Sequence, residues 1–261
     1  MNAVNSARSL RFAALLSVVA LTPQVSKATV VEFQTVLGNF EVNLYDNSTP
    51  QTVLNFLNYV NNGAYTNAII NRSVPGFVIQ GGGFVYNLAL PLEAVPSNAP
   101  VINEPVFANV RGTIAMAKLG GDPDSATSEW YFNLADNTGN LDVQNGGFTV
   151  FGEVVGDGMD VVDAIAALPR FNFGGATTDL PLRDYSLDDF NNDVEPDGTN
   201  FAIITAVVVS DSTVDSAAGL NPPLSTNVAP PTPPASSGGG GSFGVISLLG
   251  LLLARRRRLR C

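Results

Sequence analysis

Asn71-Arg-Ser-Val-Pro-Gly-Phe-Val-Ile-Gln-Gly-Gly-Gly-Phe84 is the stretch on which the reading of this chain turns. It sets one arginine, two phenylalanines, an amide side chain and a glycine triplet within 14 residues. Pro75-Gly76 is a turn signal. The apolar runs on either side, Ile69–Val74 and Phe77–Gln80, read as two strands joined by that turn. The arginine is nearly alone: away from the chain ends the only bases are Arg72, Arg111, Lys118, Arg170 and Arg183. A cation among apolar residues and glycines points to a positioned hydrogen-bond donor rather than a solvated charge. Gly81–Gly83 is not followed by Gly-Lys-Ser/Thr, so a phosphate loop is a weak reading.

Working outward, Thr29–Val36 and Asn39–Leu44 form a hairpin around Leu37-Gly38. Ser48-Thr49-Pro50 starts a helix, with proline in its first turn. Val53, Leu54, Leu57 and Val60 supply its apolar stripe, and Asn62-Gly63 stops it. Further strands are read at Gly112–Lys118, Glu129–Leu134, Phe148–Val154 and Asn200–Ser210. A second helix spans Gly158–Leu168, with Met159, Val162, Ile165 and Ala166 on one face. Short strands in series, with two helices among them, predict a mainly β fold: a closed antiparallel barrel capped by helices. Pro169–Thr199 is an acidic insert, read as a solvated loop. Its Asp, Glu and Asn side chains are hard oxygen donors that suit calcium, but their spacing matches no EF-hand.

Composition narrows the chemistry. The 261 residues contain no histidine, and the one cysteine is Cys261. Ser-His-Asp and Cys-His catalysis, histidine zinc sites and an intrachain disulfide are excluded. All 23 acids lie between Glu32 and Asp215, against five bases there, a net charge of −18. Such a surface repels nucleic acid and anionic lipid. The remaining chemistry must rest on arginine, carboxylates, amides, aromatics and backbone, with no cofactor and no metal.

The chain ends read as addresses. Arg8 and Arg11 precede an apolar run, Phe12–Leu21, and Ser26-Lys27-Ala28 offers small residues for cleavage, so residues 1–28 are a secretory signal peptide. Residues 213–237 are a Pro/Ser-rich linker, in which Asn221-Pro-Pro and Pro230-Pro-Thr-Pro-Pro234 read as stiff and unpacked. Residues 238–261 run from glycines through a short apolar stretch, Ser242–Ala254, to Arg255–Arg258. This order resembles the GlyGly-CTERM sorting signal of Gram-negative bacteria. The resemblance implies transient anchoring in the inner membrane, cleavage near Gly238–Gly241 and delivery to the periplasm, cell surface or medium.

The residues between the two ends also reach a family. Arg72, Pro75-Gly76-Phe77, Gln80-Gly81-Gly82 and Phe84 resemble the catalytic strand pair of the cyclophilins, the peptidyl-prolyl cis–trans isomerases. Gly112-Thr-Ile-Ala-Met-Ala117, Asp122–Leu134, Leu141-Asp142, Phe148–Val155 and Gly158–Val162 resemble later segments of that family in the same order. The likeness spans 29–212. It implies an eight-stranded antiparallel barrel with two capping helices. It implies Arg72, Phe77 and Gln80 as catalytic residues, with Gln80 holding the Arg72 guanidinium. Val78, Tyr131 and Leu141 would wall a proline pocket with Phe77, and Phe148 would flank it. Ala117 and Lys118 would meet the peptide through their backbone groups. Glu129 stands where the family usually has glutamine, and would pair with Arg72 or Lys118. Trp130 and Tyr131 replace two phenylalanines. Asn140 replaces a tryptophan of some eukaryotic members.

The activity so implied is isomerisation of X–Pro bonds in exported polypeptide clients, assisting their folding, by a monomer. It needs neither nucleophile nor metal. The barrier of about 18–20 kcal/mol is amide resonance, and a site that grips the twisted amide better than the planar one lowers it. Glu129 and the net charge motivate a second reading: a binding module for Pro-containing segments with little catalysis.

Overall fold

The computed structural model describes residues 29–212 and 220–226. Residues 1–28, most of 213–237 and residues 238–261, read above as signal peptide, linker and sorting tail, lie outside these residues. In chain order the elements are β1 (Val30–Thr35), β2 (Gly38–Leu44), α1 (Pro50–Asn61), β3 (Ala68–Val74), β4 (Val78–Val85), β5 (Glu93–Ala94), β6 (Thr113–Met116), β7 (Trp130–Asn133), α2 (Thr138–Leu141), β8 (Val150–Val155), α3 (Gly158–Ala166), β9 (Arg170–Phe171), β10 (Leu180–Pro181), α4 (Leu187–Asn191) and β11 (Ile203–Asp211). Among the described residues no helix is long and apolar enough to cross a membrane.

Eight strands close on themselves. The order is β3-β11-β1-β2-β8-β6-β7-β4, and β4 pairs back onto β3. Every ladder is antiparallel. Closure leaves no open edge around the ring, and the short β5 extends β4 outside it. This is the barrel expected from the strand pattern, with α1 and α3 as its two longer helices.

Period two along each strand sorts side chains to two destinations. Phe33, Phe40, Val42, Ile79, Ile114, Met116, Trp130 and Phe132 belong to the main core. Phe33 is its hub: its ring lies 5.0 Å from Phe40, 5.2 Å from Trp130 and 5.4 Å from Phe132. The intervening residues Val78, Ala115 and Tyr131, with Val150, form a separate cluster with Tyr45 and Leu141. The core and the pocket cluster are thus opposite faces of the same strands.

Four sequence expectations change. Leu54 is 60% exposed. The buried face of α1 is instead Thr52, Val53, Asn55, Phe56, Tyr59 and Val60, the set that 100° steps bring round to the barrel. Phe77 lies in the Pro75–Phe77 turn rather than on a strand, and β4 runs on to Val85. The acidic insert is not a solvated loop. β9 and β10 pair, α4 carries a Ser186–Asp189 capping box, and Phe171, Leu180, Leu182 and Tyr185 share a small core with Ile69, Tyr86, Phe201 and Ile203. The aromatic residues among the carboxylates are what fold it. Finally, Leu220–Thr226, expected to be unpacked linker, lies against the domain. Proline lacks an N–H, but its carbonyl still accepts: Ala108 N donates to Pro223 O at 2.9 Å.

Candidate active site

The site is a row of side chains across four strands. Arg72 on β3 stands opposite Gln80 on β4, Gln80 opposite Tyr131 on β7, and Tyr131 opposite Ala115 on β6. Directly opposed residues share a face. A bulge sets Arg72 in this row: the step from Ile70 to Arg72 on β3 is matched by one residue, Gly81 to Gln80, on β4. Ile70 therefore joins the barrel core while Arg72 points with Gln80.

The apolar part is continuous with that row. Val78, Ala115, Tyr131 and Leu141 are buried, and Phe77, Ala117 and Phe148 pack on them half-exposed. Tyr131 and Phe148 meet edge-to-face at 6.0 Å. This gives a small apolar seat beside a guanidinium. A groove of about 860 Å³ lies between the acidic insert and Phe84, lined by Phe173, Tyr185, Phe190 and Phe201. It contains none of the row residues; donor and apolar walls converge at the seat instead.

Arg72 has one charged partner among the described residues, Asp179, with Nε 4.0 Å from Oδ2. No hydrogen bond ties its guanidinium among those residues. Gln80 does not hold it. Gln80 Nε2 donates to Glu129 Oε2 at 2.6 Å, a charge-assisted bond. Glu129 thus pairs with Gln80, not with Arg72 or Lys118 as its charge alone suggests. The glycine triplet allows this: a Cβ on Gly83 would come within 2.9 Å of Glu129 Cδ.

Lys118 forms no ion pair among the described residues. Its Nζ donates to Asn145 O at 2.9 Å and Gly147 O at 2.6 Å, and sits 4.7 Å from the centre of the Phe148 ring. It thereby fixes the loop that carries Phe148. Burial lowers its pKa to about 8, against the opposing pull of Asp124 and Asp122. The unfolded chain keeps the proton to higher pH, so the unfolded state binds more protons between about 8 and the ordinary lysine value of about 10.4. Stability should therefore rise with pH across that window. Urea midpoints of wild type and Lys118→Met at pH 7.5 and 9.5 test it: a wild-type gain no larger than the variant's removes the assignment. Of the groups expected to meet a peptide, the Ala117 N–H is already bonded to Glu129 O at 2.9 Å.

Beneath the seat lies a polar network that no sequence signal announced. Tyr131 OH donates to Asn109 Oδ1 at 2.8 Å, and Asn109 N and Nδ2 both donate to Asp142 Oδ1 at 2.9 Å. Asn137 Nδ2 donates to Phe77 O at 2.9 Å and to Asn133 Oδ1 at 2.7 Å. Burial first, and the Asp142 charge second, push the Tyr131 phenol well above its ordinary pKa, so it remains a donor. Asn109 sits between Ala108 and Val110, and a lone amide in a loop carries no pattern to read. Among the described residues no group of three or more carboxylates converges as a metal site would require.

Comparison with known proteins bears on this arrangement. Residues 30–186 match the family model described as cyclophilin type peptidyl-prolyl cis-trans isomerase. A peptidyl-prolyl cis-trans isomerase of Acinetobacter baylyi is 42% identical over 165 residues, covering 63% of this chain and 86% of that protein. Peptidyl-prolyl cis-trans isomerase B of Escherichia coli is 38% identical over 161 residues, 59% of this chain and 94% of its own length. The crystal structure of a cyclophilin type isomerase from Cryptosporidium parvum aligns with a TM-score of 0.49 at 19% identity, covering 71% of this chain and 99% of that one. The chain belongs to the cyclophilin-type peptidyl-prolyl cis-trans isomerase family.

Proposed function

We propose that this protein isomerises X–Pro peptide bonds in exported polypeptides and so assists their folding. One observation carries the reading: the Arg72 guanidinium stands in register with Gln80, free of hydrogen bonds among the described residues, beside the apolar seat of Phe77, Val78, Tyr131 and Leu141. The seat suits a proline ring. As the amide twists, its nitrogen regains a lone pair, and a guanidinium aimed at that nitrogen stabilises the localised form more than the planar one. Binding at the planar ground state would contribute nothing to the rate.

Export rests on the sequence: the signal-like residues 1–28, the sorting-like residues 238–261 and the acidic surface between them. Intact-mass measurement of the native protein tests it, and a mass equal to all 261 residues would contradict processing at both ends. Clients are proline-containing polypeptides. Activity itself is read by exchange NMR on an Ala-Pro tetrapeptide, and an unchanged exchange rate with wild type sinks the enzyme reading.

A second reading, a module that binds Pro-containing segments with little catalysis, is favoured by the 2.6 Å bond from Gln80 to Glu129. The carboxylate occupies the amide that would otherwise steady Arg72, and places a negative charge in the row. Glu129→Gln preserves an acceptor for Gln80 while removing the charge. We expect it to raise kcat/KM about three-fold, a change of under 1 kcal/mol, as a partly screened charge warrants. A loss of activity in that variant would instead make the carboxylate part of the machinery.

A further inference from the structure

Leu220–Thr226 lies beyond the 30–186 stretch that matches the family. It is nevertheless bound to the domain at several points. Ala108 N donates to Pro223 O and Ser225 N to Val106 O, each at 2.9 Å, around an antiparallel bridge between Phe107 and Leu224. Ser225 is buried.

Two routes lead from this segment to the seat. The first is apolar: Leu220 packs against the cluster that includes Val78, Tyr131 and Leu141. The second is polar. Thr226 N donates to Asp142 Oδ2 at 3.1 Å, while Asp142 Oδ1 takes both bonds from Asn109. Asn109 in turn accepts from Tyr131 OH at 2.8 Å, and its Nδ2 donates to Phe148 O at 3.3 Å. Asp142 is fully buried and directly follows Leu141. A buried carboxylate is oriented by its donors, and removing one turns it toward the others. Here each of its oxygens takes a bond from a different element, Oδ2 from the strap and Oδ1 from Asn109. Tyr131, Leu141 and Phe148 are each one step from that carboxylate or from Asn109.

We infer that Leu220–Thr226 is a positioning strap for the prolyl seat, in which Leu220 and the Thr226 N–H fix Tyr131, Leu141 and Phe148 relative to Arg72. This rests on the isomerase reading for its kinetic consequence, but not for its structural one. The strap touches the walls and not the guanidinium, so it governs how well the proline ring is seated rather than how the twisted amide is stabilised.

The full chain carrying Thr226→Pro tests the polar route, because proline deletes the N–H. Leu220→Ala tests the apolar route. Thr226→Ser, which keeps the N–H, is the control. We expect KM for an Ala-Pro tetrapeptide to rise about three- to ten-fold in the first two, the range for one lost buried hydrogen bond. We expect kcat to stay within about two-fold and Thr226→Ser to match wild type. Hydrogen exchange at the Asn109 amide, read by NMR without any turnover, should accelerate by a similar factor in Thr226→Pro. KM and Asn109 exchange both unchanged in a folded Thr226→Pro and in Leu220→Ala overturn the strap. So does a Thr226→Ser variant as impaired as Thr226→Pro. If wild type leaves peptide exchange untouched, the isomerase reading falls alone, and faster Asn109 exchange in Thr226→Pro still establishes the strap.

Discussion

Arg72→Ala should lower kcat/KM for an Ala-Pro peptide by about 100- to 1,000-fold, the usual cost of removing one donor aimed at charge that develops in a transition state. Stability should hardly move. The Arg72 side chain is 34% exposed and its one ion pair among the described residues, with Asp179, spans 4.0 Å. Exposed pairs of that kind are worth about 0–1 kcal/mol. The result therefore separates chemistry from fold: exchange NMR records the lost rate while the thermal transition by circular dichroism stays within a few degrees. Arg72→Lys should not rescue it, because an ammonium is a compact point charge on a flexible stem and lacks the planar fork. A variant that retains activity within about five-fold of wild type would move the catalytic role away from Arg72, and Gln80 would be the next residue to examine.

Gly82→Ala should cost about 3–5 kcal/mol and lower Tm by roughly 10 °C, with the two penalties arising independently. The backbone at Gly82 has φ +81°, where a side chain is strained. A Cβ there would also stand 2.6 Å from Ser128 O and 2.7 Å from Trp130 Nε1. The first contact is with a backbone carbonyl, and the second is with a fully buried ring wedged between Phe33 and Phe132, so neither neighbour has room to yield. Gly76→Ala is the comparison. Its φ is +66° but no atom lies within 4 Å of the added carbon, so it should show the conformational cost alone, about 1–2 kcal/mol. Equal losses in the two variants, by urea denaturation, would show that the clash is relieved elsewhere.

The barrel was legible because its signal is repeated. Eight short apolar-rich runs, most of them next to a Gly, Pro or Asn, repeat along the chain, and an error at one strand end, as at Phe77, leaves the others standing. The residues Arg72, Gln80 and Tyr131 were expected from the resemblance to the cyclophilins, and strand register sets them side by side. What the side chains do within the row was not. Whether Glu129 reaches Arg72, Lys118 or Gln80 depends on a few ångströms across β4 and β7, and charge alone favours the cations. Space over Gly83 decides for Gln80. The insert was misread because its carboxylates dominate its composition, while Phe171, Tyr185 and Phe190, too scattered to show a period, form its core. The strap was hidden by its prolines, which argue against packing until the carbonyls are counted as acceptors.

Because alternate residues of β4, β6 and β7 serve the core and the seat separately, this chain can vary one without disturbing the other. Ile79, Ile114, Met116, Trp130 and Phe132 belong to the barrel core; Val78, Ala115 and Tyr131 belong to the seat cluster, with Gln80 in register beside Tyr131. On the function proposed above, client preference is open to retuning, by selection or by an engineer, at every second position along these strands while the neighbours between them keep the core.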